Sequence, residues 1–316
     1  MESETEKTAP QDHERLDRYL VRLGFAGSRR MAREMVESRV IRLNGAVPSK
    51  GSLVRPGDRV EVEEASDAVP LVPDSNVTLE ILFQDAALIV VNKPGGIPCH
   101  PLRPGETGTV MNGVVAMFPN AANAGDNPRE GGLVHRLDNG TSGALMVALT
   151  AESFAAMRAA IREGRIRRRY QALIGGWPGG EIGTEAGGEI EIKLPIAHHP
   201  RNRRRMMVAR DESEAVRLGA RPARTIVRPI ERIGDFTLVD VLPRSGSRHQ
   251  IRVHLASLGC PIAGDLLYGG PPLESLPDER FWLHLAELDF RSPASGHARV
   301  EAGLSRDLSD AIATCR

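Results

Sequence analysis

The chain has 316 residues, 41% of them hydrophobic, which is enough for one large globular domain and a second small one. Its 41 basic and 41 acidic side chains cancel, its 3 cysteines lack the spacing of a zinc site or a disulfide framework, and no run approaches the roughly 20 apolar residues that cross a bilayer. These features argue against a secreted, membrane-spanning or metal-binding protein, and we expect a cytoplasmic one.

The N-terminal part predicts a disordered leader followed by a pair of helices. Residues 1–12 are charged and without periodicity, whereas helical spacing of apolar residues starts after His13. Gly24 is expected to end the first helix, and Ser28 can cap the second. The predicted inward-facing residues are Leu16, Leu20 and Leu23 in the first helix and Ala32, Met35 and Val36 in the second.

A small sheet and a linker are expected next. Residues 40–43 are predicted to form a strand that enters an Asn44-Gly45 turn. Residues 60–62 alternate apolar and acidic side chains, as strands do. We therefore place a small α/β domain at residues 13–64. The polar, proline-containing residues 65–76 are typical of a linker.

The main domain is predicted at residues 77–308, with a C-terminal tail at 309–316. Thr150 can cap a helix over residues 152–163 that turns Phe154, Met157 and Ile161 inward and ends at Gly164. Strands are expected at residues 86–91, 144–149, 170–174, 225–230, 236–242 and 283–290. Because strands and helices do not alternate regularly, the pattern favours an α+β sheet domain over a doubly wound one. The polar segment 209–223 is interpreted as an enlarged loop.

Arginine is concentrated in three clusters despite the balanced net charge. The clusters are Arg15, Arg18, Arg22, Arg29, Arg30, Arg33, Arg39 and Arg42; Arg162, Arg165, Arg167, Arg168 and Arg169; and Arg201, Arg203, Arg204 and Arg205. Each alone is equally consistent with a solvated surface. Together they favour recognition of phosphates, because the planar guanidinium suits them. An aromatic content of 4% indicates backbone and shape contacts rather than extensive base stacking.

Two segments could carry chemistry. The run from His135 to Gly143 places Asp138 among hydrogen-bonding side chains and two glycines just before a buried strand, although spacing alone favours an Asp that only satisfies a turn. The run from Arg244 to His254 enters a helix with Arg252 in its first turn. A cation there implies a nearby carboxylate or phosphate, unless Arg252 is simply solvated.

These segments resemble the RluA/RluD-type pseudouridine synthase family over residues 78–296. The matching motifs are Asn92-Lys93-Pro94-Gly95-Gly96, His100-Pro101, HRLDNGTSG from His135, Arg169-Tyr170-Gln171-Ala172, His199-Pro200, HQIRVHLASLG from His249, Pro261-Ile262-Ala263-Gly264-Asp265 and Tyr268-Gly269-Gly270. Residues 13–64 resemble the alpha-L RNA-binding fold of a small-subunit ribosomal protein, except at Ser38-Arg39, where that fold usually has a glycine. The resemblance implies a mixed, largely antiparallel sheet flanked by helices and loops.

The resemblance also implies the roles of particular residues. Asp138 would be the catalytic carboxylate, Arg252 its partner and Tyr170 the side chain that stacks on a flipped-out uridine. The residues expected to contact RNA are Arg136, Arg248, His249, Gln250, Arg29, Arg30, Arg33, Arg201 and Arg204. Gly246 is followed by Ser247 where the family usually has arginine, so the role of Arg248 is open.

The expected activity is isomerisation of uridine to pseudouridine in large-subunit ribosomal RNA, without a cofactor or a metal. Transfer RNA as substrate, or a noncatalytic ribosome-assembly factor, remain as alternatives. A serine hydrolase is disfavoured, since Ser142 lacks the final glycine of a nucleophile elbow. Metal binding by His198-His199 or by His249 and His254 lacks a familiar ligand pattern.

Overall fold

The computed structural model describes residues 13–26, 29–37, 39–49, 51–62, 71–179 and 188–315. The chain divides into two compact units, Met1–Ala68 and Val69–Arg316. Several sequence predictions fall outside the described residues: the leader, the cap at Ser28, the departure at Ser38, the side chain of Arg30 and residues 65–70 of the linker. No helix in the described part of the chain is both long and apolar enough to cross a membrane.

The described part of the N-terminal unit has two helices and two small strand pairs. Its elements are β1 (Glu14–Arg15), α1 (Leu16–Arg22), α2 (Arg29–Glu37), β2 (Ile41–Leu43), β3 (Leu53–Val54) and β4 (Val60–Val62). Strand β1 pairs with β3 and β2 with β4, both antiparallel. The predicted inward faces are confirmed, since the core contains Leu16, Leu20, Ala32, Val36 and Ile41.

A buried carboxylate links the two helices of this unit. The carboxylate of Asp17 accepts hydrogen bonds from Arg15 at 3.1 Å and from Arg29 and Arg33 at 3.0 Å each. Burial raises the pKa of Asp17, but these hydrogen bonds outweigh it and lower the pKa to about 2. Arg29 and Arg33, expected to contact RNA, therefore also hold α2 to α1, while about half of each side chain stays exposed.

The larger unit combines a wide sheet with short helices. Its strands are β5 (Glu80–Gln84), β6 (Leu88–Lys93), β7 (Ser142–Ala148), β8 (Arg167–Gly175), β9 (Ile190–Ile192), β10 (Ile196–His198), β11 (Met206–Val208), β12 (Thr225–Ile233), β13 (Phe236–Pro243), β14 (Leu283–Ser292) and β15 (Gly296–Glu301). Its helices are α3 (Val110–Met117), α4 (Ala151–Arg162), α5 (Glu212–Leu218), α6 (Gln250–Ser257) and α7 (Arg306–Thr314). The predicted strands and the helix after Thr150 are found within a few residues of their expected bounds.

The sheet is mixed and largely antiparallel, as predicted. Its order is β5-β6-β7-β14-β8-β13-β12-β9, with β15 also paired with β14, while β10 and β11 form a separate pair. Among the described strands, β7 and β14 pair in parallel and the others antiparallel. Leu285 of β14 lies opposite both Gly143 of β7 and Tyr170 of β8. This register brings β8 close to the loop that precedes β7.

Two sequence predictions were wrong. The segment 209–223 is not only a loop, because it contains α5, whose Asp211 cap accepts a hydrogen bond from the Glu214 amide at 2.8 Å. Residues from 309 onward are not a separate tail, since α7 runs through them and buries Leu308 and Ala311 in a side core. Helix α3 was missed because it is buried on nearly all sides, which removes the polar face that periodicity detects.

Candidate active site

The loop before β7 carries Asp138 and is attached to the end of β6 by a buried lysine. The Nζ of Lys93 donates to the carbonyl oxygens of Asn139 at 3.1 Å, Thr141 at 2.8 Å and Pro94 at 2.9 Å. Burial lowers the pKa of Lys93 to about 8. The ammonium is still the favoured form at neutral pH, and it fixes the backbone directly after Asp138.

A buried arginine holds the other side of the same loop. Arg280, just before β14, donates to the carbonyl oxygen of Gly140 and, at 2.9 Å, to the hydroxyl of Ser142. Its Nε donates to Asp307 in α7 at 2.7 Å. A Cβ at Gly140 would lie 2.5 Å from the carbonyl oxygen of Glu279, so only glycine allows the two backbone segments to lie this close together. The loop is therefore rigidly positioned on both sides.

The carboxylate of Asp138 meets a guanidinium supplied by α6. Arg252 Nη1 donates to Asp138 Oδ2 at 3.0 Å, while Nε and Nη2 form a two-pronged pair with Asp265 at 2.7 and 2.8 Å. The side chain of Asp138 is 25% exposed, that of Arg252 8% and that of Asp265 1%. Asp265 thus fixes Arg252 from the buried side and leaves one edge of its guanidinium for Asp138.

Aromatic rings enclose the same guanidinium. The Cζ of Arg252 lies 4.3 Å from the ring centre of Phe281 and 5.1 Å from that of Tyr268. Burial works against the charged form, but the two carboxylates outweigh it and raise the pKa of Arg252 above its usual range. Arg252 is a permanent cation beside Asp138. The sequence predicted an anion near Arg252 because of its place in the first turn of α6. This prediction is confirmed, and the anion consists of two carboxylates.

Tyr170 and His249 stand next to this ion pair. Tyr170 is buried in β8; burial raises the pKa of its hydroxyl, Arg168 lowers it and Asp138 raises it further. His249 Nε2 lies 4.0 Å from Asp138 Oδ1, and its Nδ1 lies 2.9 Å from the Tyr268 hydroxyl. The carboxylate of Asp138, the guanidinium of Arg252 and the imidazole of His249 therefore meet at one partly open position, and Tyr170 lies within electrostatic range of Asp138.

A family model described as RNA pseudouridylate synthase matches residues 87–257, and a model of the S4 domain matches residues 14–60. The chain belongs to the RNA pseudouridylate synthase family. This pseudouridine synthase is therefore an isomerase with an N-terminal S4 RNA-binding domain, as the sequence motifs predicted.

Relatives and one solved structure agree with this assignment. An uncharacterised RNA pseudouridine synthase of Synechocystis sp. is 34% identical over 284 residues, covering 89% of this chain and 83% of the relative. The ribosomal large subunit pseudouridine synthase D of Haemophilus ducreyi is 32% identical over 260 residues, covering 82% of this chain and 74% of the relative. The structure of human RNA pseudouridylate synthase domain containing 1 superposes with a TM-score of 0.54 at 25% identity, covering 76% of this chain and 97% of the human one.

Several residues expected to contact RNA lie on the surface of the synthase domain. Arg136 is 61% exposed, with one nitrogen 3.6 Å from Glu130. Arg201 is exposed, Arg204 pairs with the exposed Glu279 at 3.2 Å, and Arg248 donates to the backbone of Arg203 at 3.3 Å. Their exposure leaves them accessible to a phosphate backbone.

Gln250 does not fit the expected RNA contact. Its side chain is buried, its Oε1 accepts from the Ser245 hydroxyl and the Ser247 amide, and its Nε2 donates to the Arg224 carbonyl and the Thr225 hydroxyl. Both ends of the amide are therefore occupied within the protein. Gln250 shapes the loop before α6.

The contacts of Ser142, His284 and His254 do not support a serine hydrolase or a metal site at His254. The hydroxyl of Ser142 lies 2.9 Å from His284 Nδ1, but both side chains are fully buried and His284 Nε2 is 3.0 Å from a backbone carbonyl. His254 has its ring nitrogens next to Thr225 at 2.8 Å and Leu194 at 2.9 Å. Ser142, His284 and His254 thus have partners within the fold.

The sequence alone did not identify Asp265, Lys93, Arg280 or Tyr268 as parts of the site. The charge argument for Arg252 required an anion. Asp265 is the closest carboxylate to Arg252, but it is 13 positions along the chain, which hid the pairing. Lys93 and Tyr268 stood in motifs that were matched without an assigned role. Arg280 carried no signal, because it lies in an irregular segment.

Proposed function

We propose that the enzyme isomerises one or more uridines of large-subunit ribosomal RNA, with Asp138 as the nucleophilic carboxylate. The observation that carries the catalytic part is the ion pair of Asp138 with Arg252, at 3.0 Å, on a loop fixed by buried cations. Support for the RNA class comes from the S4 domain and from relatives named ribosomal large subunit pseudouridine synthase D.

The reaction needs little beyond a positioned carboxylate. The bond between uracil N1 and ribose C1′ breaks, and C5 of the same base then bonds to C1′; C5 loses a proton and N1 gains one. Asp138 either attacks C1′ and leaves when C5 bonds, or it removes a proton from the ribose as the N1–C1′ bond breaks and returns it to the same carbon when C5 bonds to C1′. Arg252 places a fixed positive charge 3.0 Å from the carboxylate of Asp138.

The uridine has to leave the RNA stack before Asp138 can reach its ribose. We propose that the uridine is flipped out and that Tyr170 packs against the displaced base. In the sheet, Leu285 of β14 lies between Tyr170 of β8 and Gly143 of β7, which follows the Asp138 loop. The exposed Arg136, Arg201, Arg204 and Arg248 would contact phosphates of the surrounding RNA. Free cysteines such as Cys99 and Cys260 suit a reducing cytoplasm, which we propose as its location.

Pseudouridine mapping across total RNA tests the substrate. Cells with and without the gene should differ at one or a few uridines of large-subunit ribosomal RNA, and restoring the intact gene should restore them. A gene carrying Asp138→Asn serves as the matched control and should leave the same positions unmodified. Differences confined to transfer RNA would contradict the proposed substrate, and identical maps would contradict catalysis on these stable RNAs.

A further inference from the structure

The Tyr268 hydroxyl lies between a backbone amide and an imidazole. It accepts a hydrogen bond from the Met206 amide at 2.8 Å and lies 2.9 Å from His249 Nδ1. The Tyr268 ring is buried between Arg205 and Arg252, so the hydroxyl cannot turn freely to solvent. Its position is set by the fold.

This arrangement favours one tautomer of His249. The Met206 amide can only donate, so it occupies an acceptor lone pair of the Tyr268 oxygen. The hydrogen of the Tyr268 hydroxyl then points best toward His249 Nδ1, which is the other polar atom found at hydrogen-bonding distance from that hydroxyl among the described residues. With Nδ1 accepting, the neutral ring carries its proton on Nε2.

The protonated nitrogen faces the reaction centre. His249 directly precedes α6 with its backbone in the left-handed region at φ 53°. Its Nε2 lies toward Asp138, and 10% of its side chain is exposed. Burial lowers the pKa of His249 to about 4; Asp138 and Asp265 oppose this shift, and Arg252 and Arg248 add to it. The imidazole is therefore neutral at physiological pH and presents an N–H donor.

The gap between His249 and Asp138 matches a bridging hydroxyl. At 4.0 Å, Nε2 and Oδ1 are too far apart for a direct hydrogen bond. A hydroxyl oxygen about 2.7–2.9 Å from each atom spans that distance, accepting from the N–H and donating to the carboxylate. The ribose of the target uridine carries such a group on C2′, next to the C1′ atom that reacts.

We propose that Tyr268 holds His249 as the Nε2–H tautomer and that this N–H donates to the 2′-hydroxyl of the target uridine, which in turn donates to Asp138. His249 is then a substrate-binding residue that distinguishes ribose from deoxyribose, and Tyr268 is its positioning residue. The inference rests on the proposed function, because it requires the ribose to lie against Asp138.

Two substitutions at His249 distinguish the loss of the Nε2–H hydrogen-bond donor from a change in how well the residue tolerates the left-handed backbone conformation. His249→Gln places an amide N–H near the position of Nε2, whereas His249→Asn reaches only as far as Nδ1. Asparagine is the better residue at φ 53°, so a purely structural role predicts that the Asn variant performs at least as well. We expect His249→Gln to stay within about threefold of the wild-type kcat/KM and His249→Asn to lose about tenfold. Equal rates, or the reverse order, would overturn the proposal.

A modified substrate tests the hydroxyl directly. The full-length enzyme is assayed on an RNA fragment carrying the mapped uridine and on the same fragment with 2′-deoxyuridine at that position. The wild-type penalty for the deoxy substrate should exceed the penalty in His249→Asn by about tenfold, because the variant has no donor left to lose. The same penalty in both enzymes would refute the contact.

Nitrogen-15 NMR of the histidine rings tests the tautomer independently of activity. His249 should be protonated at Nε2 in the wild type, and Tyr268→Phe, which keeps the ring beside Arg252, should shift the proton toward Nδ1. A wild-type signal with Nδ1 protonated would contradict the role of Tyr268. If Asp138→Asn is inactive but the two deoxy penalties are equal, this inference fails alone; if Asp138→Asn is active, the proposed function fails.

Discussion

Replacing Asp265 by Asn should damage both stability and catalysis, although Asp265 does not face the open part of the site. Its carboxylate makes two charged hydrogen bonds to a guanidinium that is 8% exposed. The substitution leaves Arg252 with Asp138 as its remaining carboxylate partner. Breaking a buried pair costs about 3–5 kcal/mol, and because Asn keeps one acceptor we expect about 3 kcal/mol.

Calorimetry and kinetics on the same preparation check this prediction. About 3 kcal/mol corresponds to a melting temperature roughly 6–12 °C lower for a domain of this size. The kcat should fall by at least about tenfold, because Arg252 no longer has a fixed orientation toward Asp138. Asp310→Asn is the matched control, since Asp310 is 68% exposed and 3.6 Å from Arg306, and it should change the melting temperature by less than about 2 °C. If Asp265→Asn behaved like this control, the reasoning would be refuted.

Other predictions concern the loop around Asp138 and the N-terminal unit. Lys93→Met leaves three carbonyl oxygens without their donor and should cost about 2–4 kcal/mol by calorimetry, with an unchanged melting temperature as the contrary result. Gly140→Ala should lower kcat/KM by at least about tenfold through loop displacement, whereas Gly303→Ala, which has open space around its Cβ, should not. Asp17 has a folded-state pKa of about 2, below the roughly 3.9 of a free carboxyl, which corresponds to at most about 2.6 kcal/mol of stability. Because the arginine partners are about half exposed, solvent screening reduces this to about 1 kcal/mol for the N-terminal unit above about pH 5. This stabilisation should be lost as the pH falls toward 2, and hydrogen exchange in α1 that is equally pH-dependent in Asp17→Asn would contradict it.

The sequence predicted most of the sheet because its strands are short apolar runs between clear turn signals. The strand after Asp138 illustrates this as a mostly apolar run that is buried along its whole length, and at the helix after Thr150 capping and periodicity agree. Helix α3 failed for the opposite reason, because burial on nearly all sides leaves no polar stripe. In α5 the abundance of charge suggested a loop, although acidic residues in the first turn favour a helix.

Local sequence patterns alone predicted a contact in the site only where the position of a single residue required it. Arg252 in the first turn of a helix required an anion, and this prediction needed no tertiary information. The pairing of that arginine with Asp265, and the cross-links from Lys93 and Arg280, depend on contacts between distant segments that no local pattern encodes. Gln250 was predicted to contact RNA because it lies in the family motif. In the structure its side chain is buried and hydrogen-bonds to Ser245 and Thr225.

Asp138→Asn provides the most direct test of the central claim. The substitution keeps the shape of the side chain and removes its charge, so the purified variant should form no pseudouridine while its Kd for the RNA stays within about twofold of the wild type. Conversion and affinity are measured on the same RNA fragment, at one salt concentration. Conversion at the wild-type rate would show that Asp138 is not the nucleophile.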